Sequence, residues 1–188
     1  MARPLVGRLF LYLERAFMKW QAKVVLILLS IVAMIASAQS SQEDRRLEQE
    51  TQMRGYWTDP STGLMWAGKD NGKDVNWHKA IKYCRDLRLA GYSDWRLATL
   101  GELEGIYDKN ANAPGRAGPS PGRPFTFHIK GNLLLTGNQW SSTRIPDDRG
   151  HPSGYACRFD FNEGRPFDGD ELSFYTFKRA LCVRGSGK

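Results

Sequence analysis

No arrangement of metal ligands or of a catalytic nucleophile is visible in this sequence. The three histidines, His78, His128 and His151, stand far apart, and no C-x-x-C, H-x-H or H-E-x-x-H spacing occurs. There is no G-x-S-x-G elbow and no glycine loop of the kind that cradles phosphate. These absences argue against metalloenzymes, serine hydrolases and nucleotide-dependent enzymes; no enzyme activity, metal or cofactor is expected. Asp168-Gly169-Asp170-Glu171 could offer oxygens to a hard cation, but reads more simply as a solvated acidic turn.

Cysteine is scarce. There are three, Cys84, Cys157 and Cys182, all in the later part of the chain, and an odd count leaves at least one unpaired in any intramolecular scheme. Acidic residues are missing from one long stretch. Between Asp108 and Asp147 none occurs, while Lys109, Arg116, Arg123, Lys130 and Arg144 all fall there. No internal repeat is found, and Gly115, Gly118 and Gly122 do not keep the period of three that collagen requires.

Uninterrupted apolar runs are also short. The longest, Val24 to Ala38, is 15 residues, below the roughly 18 to 20 that span a bilayer comfortably. It follows Lys19 and Lys23 and ends in Ala36-Ser37-Ala38. A basic n-region, a short apolar core and small residues before a cleavage point make a secretory signal over residues 1–38. The alternative is an uncleaved membrane anchor. No polar residue gives the run a second face, which argues against a buried core helix. Residues 1–17 make the n-region unusually long, so Met18 is the preferred translation start. Otherwise Leu5, Leu9, Leu13 and Phe17 with Arg3, Arg8 and Arg15 would form a basic amphipathic segment on the cytoplasmic membrane face.

The signal also carries part of the basic charge. The whole chain has net charge +7, but residues 39–188 hold 22 basic against 19 acidic residues. No nucleic-acid partner follows. Exported chains keep disulfides, so the cysteines agree with a periplasmic or extracellular destination.

Residues 39–55 are polar and of mixed charge, with almost nothing to bury, and read as a linker or frayed helix. The domain is expected over residues 56–188. Asp59-Pro60-Ser61-Thr62-Gly63 is a turn cluster ahead of the apolar Leu64-Met65-Trp66. Trp77, Ala80, Ile81, Cys84 and Leu87 recur at helical spacing, with Asn76 as N-cap and Gly91 as the glycine stop. Thr99-Leu100-Gly101-Glu102 is a capping box that starts a second helix. Trp95-Arg96-Leu97 is a strand between them. Asn110 to Asn138, rich in proline and glycine, reads as loop. Strands follow at Gln139–Thr143, Tyr155–Phe161 and Arg179–Arg184, with a hairpin turn at Asn162-Glu163-Gly164. In the second of these, Tyr155, Cys157, Phe159 and Phe161 share one face and Ala156, Arg158 and Asp160 the other.

Thr58-Asp59, Gly63-Leu64-Met65-Trp66, then Trp77, Ala80, Ile81 and Cys84, Leu89-Ala90-Gly91-Tyr92-Ser93-Asp94-Trp95-Arg96-Leu97, Thr99, Glu102 and Leu103 together form a recognisable pattern, closed by Trp140-Ser141-Ser142-Thr143 and Cys182-Val183-Arg184. It resembles the bacterial Lcl C-terminal domain family, named for the C-terminal domain of a collagen-like adhesin. The resemblance implies an α+β, C-type-lectin-like fold: two helices packed on a small twisted antiparallel sheet, with long loops. It also implies a disulfide from the first helix to the last strand, Cys84 to Cys182, leaving Cys157 unpaired. Cys157 then reads as a buried free thiol, the alternative being a reactive or intermolecular one. Two departures from the pattern are Ala98, where proline is usual, and the extra Cys157. The calcium-dependent sugar motifs of true C-type lectins are absent. Formylglycine-generating enzymes share a related fold but need paired active-site cysteines.

The expected function is a non-catalytic binding or adhesion module for an anionic glycan or other surface polymer. Arg116, Arg123, Lys130, Trp140 and Arg144 are its candidate ligand-binding residues, because arginines near aromatic rings can engage sulfate or phosphate groups bidentately. The alternative is a structural or protein-interaction component of the envelope, tethered by a retained N-terminal segment, which is the one expected contact with a membrane.

Overall fold

The computed structural model describes residues 5–111, 113–114 and 126–185. They divide into two compact units, Met1–Arg45 and Arg46–Lys188. Helix α1 (Leu5–Arg54) supplies all the described structure of the first unit and opens the second. Its segment Met18–Glu43, 26 residues, is long and apolar enough by length and composition to cross a membrane. At 1.5 Å per residue it measures about 39 Å against a hydrocarbon core of about 30 Å. The 15-residue apolar run is extended because serines add little polarity within a helix. The hydroxyls of Ser37, Ser40 and Ser41 fold back onto the carbonyls of Met34, Ser37 and Ala38, at 2.9 Å each.

The polar stretch 39–55 is helical through Arg54. Its glutamines, glutamates and arginines are good helix formers, and Glu50 lies 3.3 Å from Arg46 and 3.9 Å from Arg54. Gly55 ends the helix at φ +74°, its amide returning 2.8 Å to the Thr51 carbonyl. Thr51 is already buried and its hydroxyl reaches the Gly131 carbonyl at 3.3 Å, so packing in the second unit begins before Tyr56.

The second unit is α+β, with two small four-stranded sheets. The first has the order β1 (Tyr56–Thr58), β2 (Met65–Ala67), β10 (Cys182–Arg184), β3 (Arg96–Leu97), all antiparallel. Trp66 faces both Trp57 and Val183 across it, which brings the start and end of the unit side by side. The second has the order β8 (Arg165–Glu171), β7 (Pro152–Asp160), β6 (Asn138–Pro146), β9 (Lys178–Arg179), with β9 parallel to β6. A two-residue ribbon pairs β4 (Ala113–Pro114) with β5 (Thr126–Phe127).

Helix α2 (Trp77–Asp86) is capped by Asn76, whose side chain accepts from the Lys79 amide at 3.0 Å. It buries Ala80 and Cys84. The helix ends well before Gly91, because the Leu87 amide turns back to the Cys84 carbonyl; Gly91 serves the following Leu89–Tyr92 turn. Helix α3 (Leu100–Gly105) begins in the Thr99–Glu102 capping box, both bonds being present. A disulfide joins Cys84 of α2 to Cys182 of β10 across 98 residues of sequence. Closing such a loop is worth about 4 to 5 kcal/mol in the chain-entropy account.

Three expectations are corrected. The last strand is broken into β9 and β10, one in each sheet, because Asn71 captures the backbone between them: its side chain accepts from the Ala180 amide at 2.7 Å and its amide donates to the Ala180 carbonyl at 3.1 Å. Residues 126–135, read as loop, put Phe127, Ile129, Leu133 and Leu135 into the main core at 1% exposure or less. In β7 the pairing with β8 shifts register between Ala156 and Arg158. Ala156 and Cys157 are therefore both buried and Tyr155 is exposed, so the simple alternation fails there.

Candidate functional site

Of the residues nominated from the sequence, Lys130, Trp140 and Arg144 fall among the described residues. Arg116 and Arg123 lie outside the described residues. Lys130 opens a short 3-10 turn and donates to the Gly105 carbonyl at 2.8 Å, at the end of α3. Arg144 lies on β6, half-buried. Its guanidinium donates to the Ser153 carbonyl and stands 5.3 Å from the centre of the Trp77 ring, while its Nε is buried without a partner among the described residues. Trp140 is a core residue. It has no exposed surface, and its indole N–H is committed to the Val75 carbonyl at 2.9 Å. A ligand does not reach the ring, so Trp140 is a core residue and not a ligand-facing one.

The acidic stretch Asp168–Glu171 is not a solvated turn but part of strand β8. Asp170 accepts from Arg158 at 2.5 Å and from the buried Lys178 at 3.2 Å, pinning the edge strand to its sheet. Asp168 faces the free Cys157, sulfur to oxygen 3.4 Å. Burial, reinforced by the Asp168 hydrogen bond and charge, pushes the Cys157 thiol up to about 11. It is protonated at neutral pH and a poor nucleophile.

A cationic cleft stands instead beside α2. It has a volume of about 430 Å³ and is lined by Lys73, Lys79, Lys82 and Arg88 over a floor that includes Val75, Tyr83 and Leu87. The helix places Lys79, Lys82, Tyr83 and Asp86 on one face, three or four residues apart. Asp86 is the single acid in the cleft wall. It is already engaged by Lys82 and lies 3.6 Å from Arg85, and chiefly the Lys82 hydrogen bond holds its carboxyl below the usual range. Arg88 donates to the carbonyls of Arg85 and Leu87 at 3.2 and 3.0 Å, which fixes its head at the C-terminal end of α2.

The loop that carries Lys73 is also fixed, by a buried aspartate. Asp70, 3% exposed, accepts from the Gly72 and Thr136 amides, the Thr136 hydroxyl and the Gln139 amide group, at 2.7 to 3.0 Å. Asn71 then bonds the Lys73 carbonyl at 2.7 Å. Burial raises the Tyr83 hydroxyl, helped by the Asp70 charge, so it stays a donor. Tyr83 and Leu87 also wall a second cleft of about 510 Å³ that includes Thr51, Ala67, Leu89 and Leu134.

The backbone and side chains that position this cleft fall within a known family. Residues 55–184 match the Lcl C-terminal domain. The chain belongs to the Lcl C-terminal domain family. No curated protein gives a significant match. In this Lcl C-terminal domain the pattern residues chiefly build the frame. Trp66 and Leu97 are core strand positions, and Arg96 forms a fork to Glu102 at 2.7 and 2.5 Å. Arg184 pairs with Asp94 at 2.7 and 3.1 Å and lies over the Tyr92 ring at 3.6 Å. The cleft cations Lys73, Lys79, Lys82 and Arg88 are not among the pattern residues. Sequence reasoning missed them because Asp74 and Asp86 are interspersed, and only the fold shows that Asp74 is taken by Arg179 and Asp86 by Lys82. The i, i+3 spacing of Lys79 and Lys82 was the available signal.

Proposed function

We propose that this is an exported, non-catalytic binding module of C-type-lectin-like build, and that the cleft beside α2 holds an anionic surface glycan. The observation that carries the reading is the charge of the cleft: among the described residues, Lys82 is paired with the one lining carboxylate, Asp86, which leaves Lys73, Lys79 and Arg88 in excess. Exposed ion pairs contribute roughly 0 to 1 kcal/mol each, so a polymer that meets several at once is the fitting ligand. The C-type-lectin-like reading is supported by two short helices beside small sheets, by β2 next to β10, and by the α2–β10 disulfide. Export is supported by that disulfide and by the apolar N-terminal helix. A thiol that is buried and protonated suits a module without catalysis.

A second reading, a membrane-tethered envelope component, is favoured by one observation: Met18–Glu43 has the length and composition of a span. Retention of that segment in the exported protein supports tethering, and a mature chain beginning at Gln39 supports cleavage. The two readings also differ on a glycan array. The full chain should bind sulfated or carboxylated glycans over neutral ones, and the Lys73→Ala/Lys79→Ala/Arg88→Ala variant should lose that preference. A folded wild-type chain that shows no preference for acidic glycans contradicts the glycan reading and leaves the envelope role.

A further inference from the structure

A second groove opens on the other side of the first turn of α2, and it differs chemically from the cationic cleft. Its volume is about 490 Å³, and it is lined by Asn76, His78, Gly154, Tyr155, Glu171, Leu172 and Ser173. Among the described residues, no lysine or arginine lines the groove. Three elements fix it through the main chain. The Leu172 amide donates to the Gly154 carbonyl at 2.9 Å, and the Leu172 carbonyl accepts from the Trp77 amide at 3.1 Å. Tyr155 and Glu171 sit opposite each other in the β7–β8 register.

The side chains around this frame have the complement that a hydroxylated ring requires. Tyr155 is 42% exposed. Of the other exposed rings in this unit, Tyr92 and Phe174 are covered by cations, Arg184 at 3.6 Å and Lys178 at 4.7 Å, and Tyr175 does not line the groove. Tyr155 has no ring or cation contact of that kind among the described residues and stands open to the groove. His78 is exposed, held edge-on to Trp77 with centroids 5.3 Å apart. Asn76 spends its side-chain oxygen on the Lys79 amide, which leaves its NH₂ as a donor. The Ser173 hydroxyl donates to Glu171 at 3.3 Å, which leaves the pair as acceptor oxygens at the groove wall. An aromatic face with amide, carboxylate and hydroxyl groups suits a sugar: the ring packs its C–H face on the aromatic and its hydroxyls find both donors and acceptors. The Glu171 carboxylate disfavours an anionic group at this point.

We propose that this groove is a neutral-pyranose subsite, and that the ligand is an acidic polysaccharide in which uncharged residues alternate with charged ones. The inference rests on the glycan reading above and extends it. Val75 and Lys79 line the cationic cleft, whereas Asn76 and His78 line the groove. The two sites therefore flank a single turn, and Asn76 and Lys79 are about 4.5 Å apart along the helix axis. One polymer can present a neutral ring to Tyr155 and an anionic group to Lys79.

The test uses the full chain in phosphatidylcholine nanodiscs, titrated calorimetrically with a hyaluronan octasaccharide as probe, beside a heparin octasaccharide. Tyr155→Ala should weaken hyaluronan binding about tenfold, the size expected of one lost aromatic stack, without changing its salt dependence or the melting temperature. Tyr155→Phe should bind as wild type, since the ring face carries the contact. If Tyr155→Ala binds hyaluronan as wild type does, or if wild type binds heparin but not hyaluronan, the subsite is overturned and the cationic cleft stands. If wild type binds neither polymer, the glycan reading itself fails.

Discussion

At the scale of single residues, Gly131 is under the tightest steric constraint. It is buried at φ +73°, and a Cβ there would lie 2.2 to 2.6 Å from three atoms of the Trp57 indole. Gly55 has a similar φ of +74°, but its Cβ would meet only the end of the Leu89 side chain at 3.1 Å. The two positions separate backbone strain from overpacking. Gly55→Ala should cost about 1 to 2 kcal/mol, the left-handed penalty alone. Gly131→Ala should cost about 3 kcal/mol or more, because a rigid ring in the main core has to move as well. Urea denaturation of the two variants checks this. Equal losses would show that the Trp57 contact is not a constraint.

Among the elements, α3 depends most visibly on a charged group. Glu102 closes the capping box on the Thr99 amide and forks to Arg96. Burial works to raise its carboxyl, but the Arg96 and Thr99 hydrogen bonds outweigh that and hold it below the ordinary glutamate value. A depressed carboxyl contributes stability that is present above the unfolded value, about 4.3, and is lost as the pH falls through the lower folded one. Glu102→Gln should therefore melt lower than wild type at pH 7 and show a flatter decline between about pH 4 and 2. Melting curves across that range decide it, and parallel curves would mean that the carboxylate does not stabilise α3. The element starts were legible because Asn76 and the Thr99–Glu102 box announce helix starts by chemistry that acts within four residues. The end of α2 was not, since Gly91 is as good a turn residue as a helix stop. The β9–β10 break was also hidden, because it is made by Asn71, more than a hundred positions away in sequence.

For the whole molecule, the frame could be read from the sequence and the proposed binding cleft could not. The cysteine pair, the paired Trp66 strand and both helices follow from motifs whose partners are local or belong to a family pattern. Trp140 looked like a ligand-facing ring only because burial is a property of the folded chain; the side chain that closes over Val75 is invisible until β6 is placed. The scarcity of acids from Lys109 to Arg144 pointed to a charged face. Lys130 and Arg144 do not line the cationic cleft, which forms from residues 73 to 88. Lys73→Ala/Lys79→Ala/Arg88→Ala and Arg116→Ala/Arg123→Ala/Arg144→Ala therefore test the cleft against the loop. The decisive measurement is the affinity of the full chain and both triple variants for a heparin hexasaccharide at several salt concentrations. Ion pairs released by salt make log affinity fall with log salt in proportion to their number. The cleft account predicts a steep slope for wild type, a slope shallower by about two to three ion contacts for the cleft variant, and a nearly wild-type slope for the loop variant. A folded cleft variant that keeps the wild-type affinity and slope would contradict it.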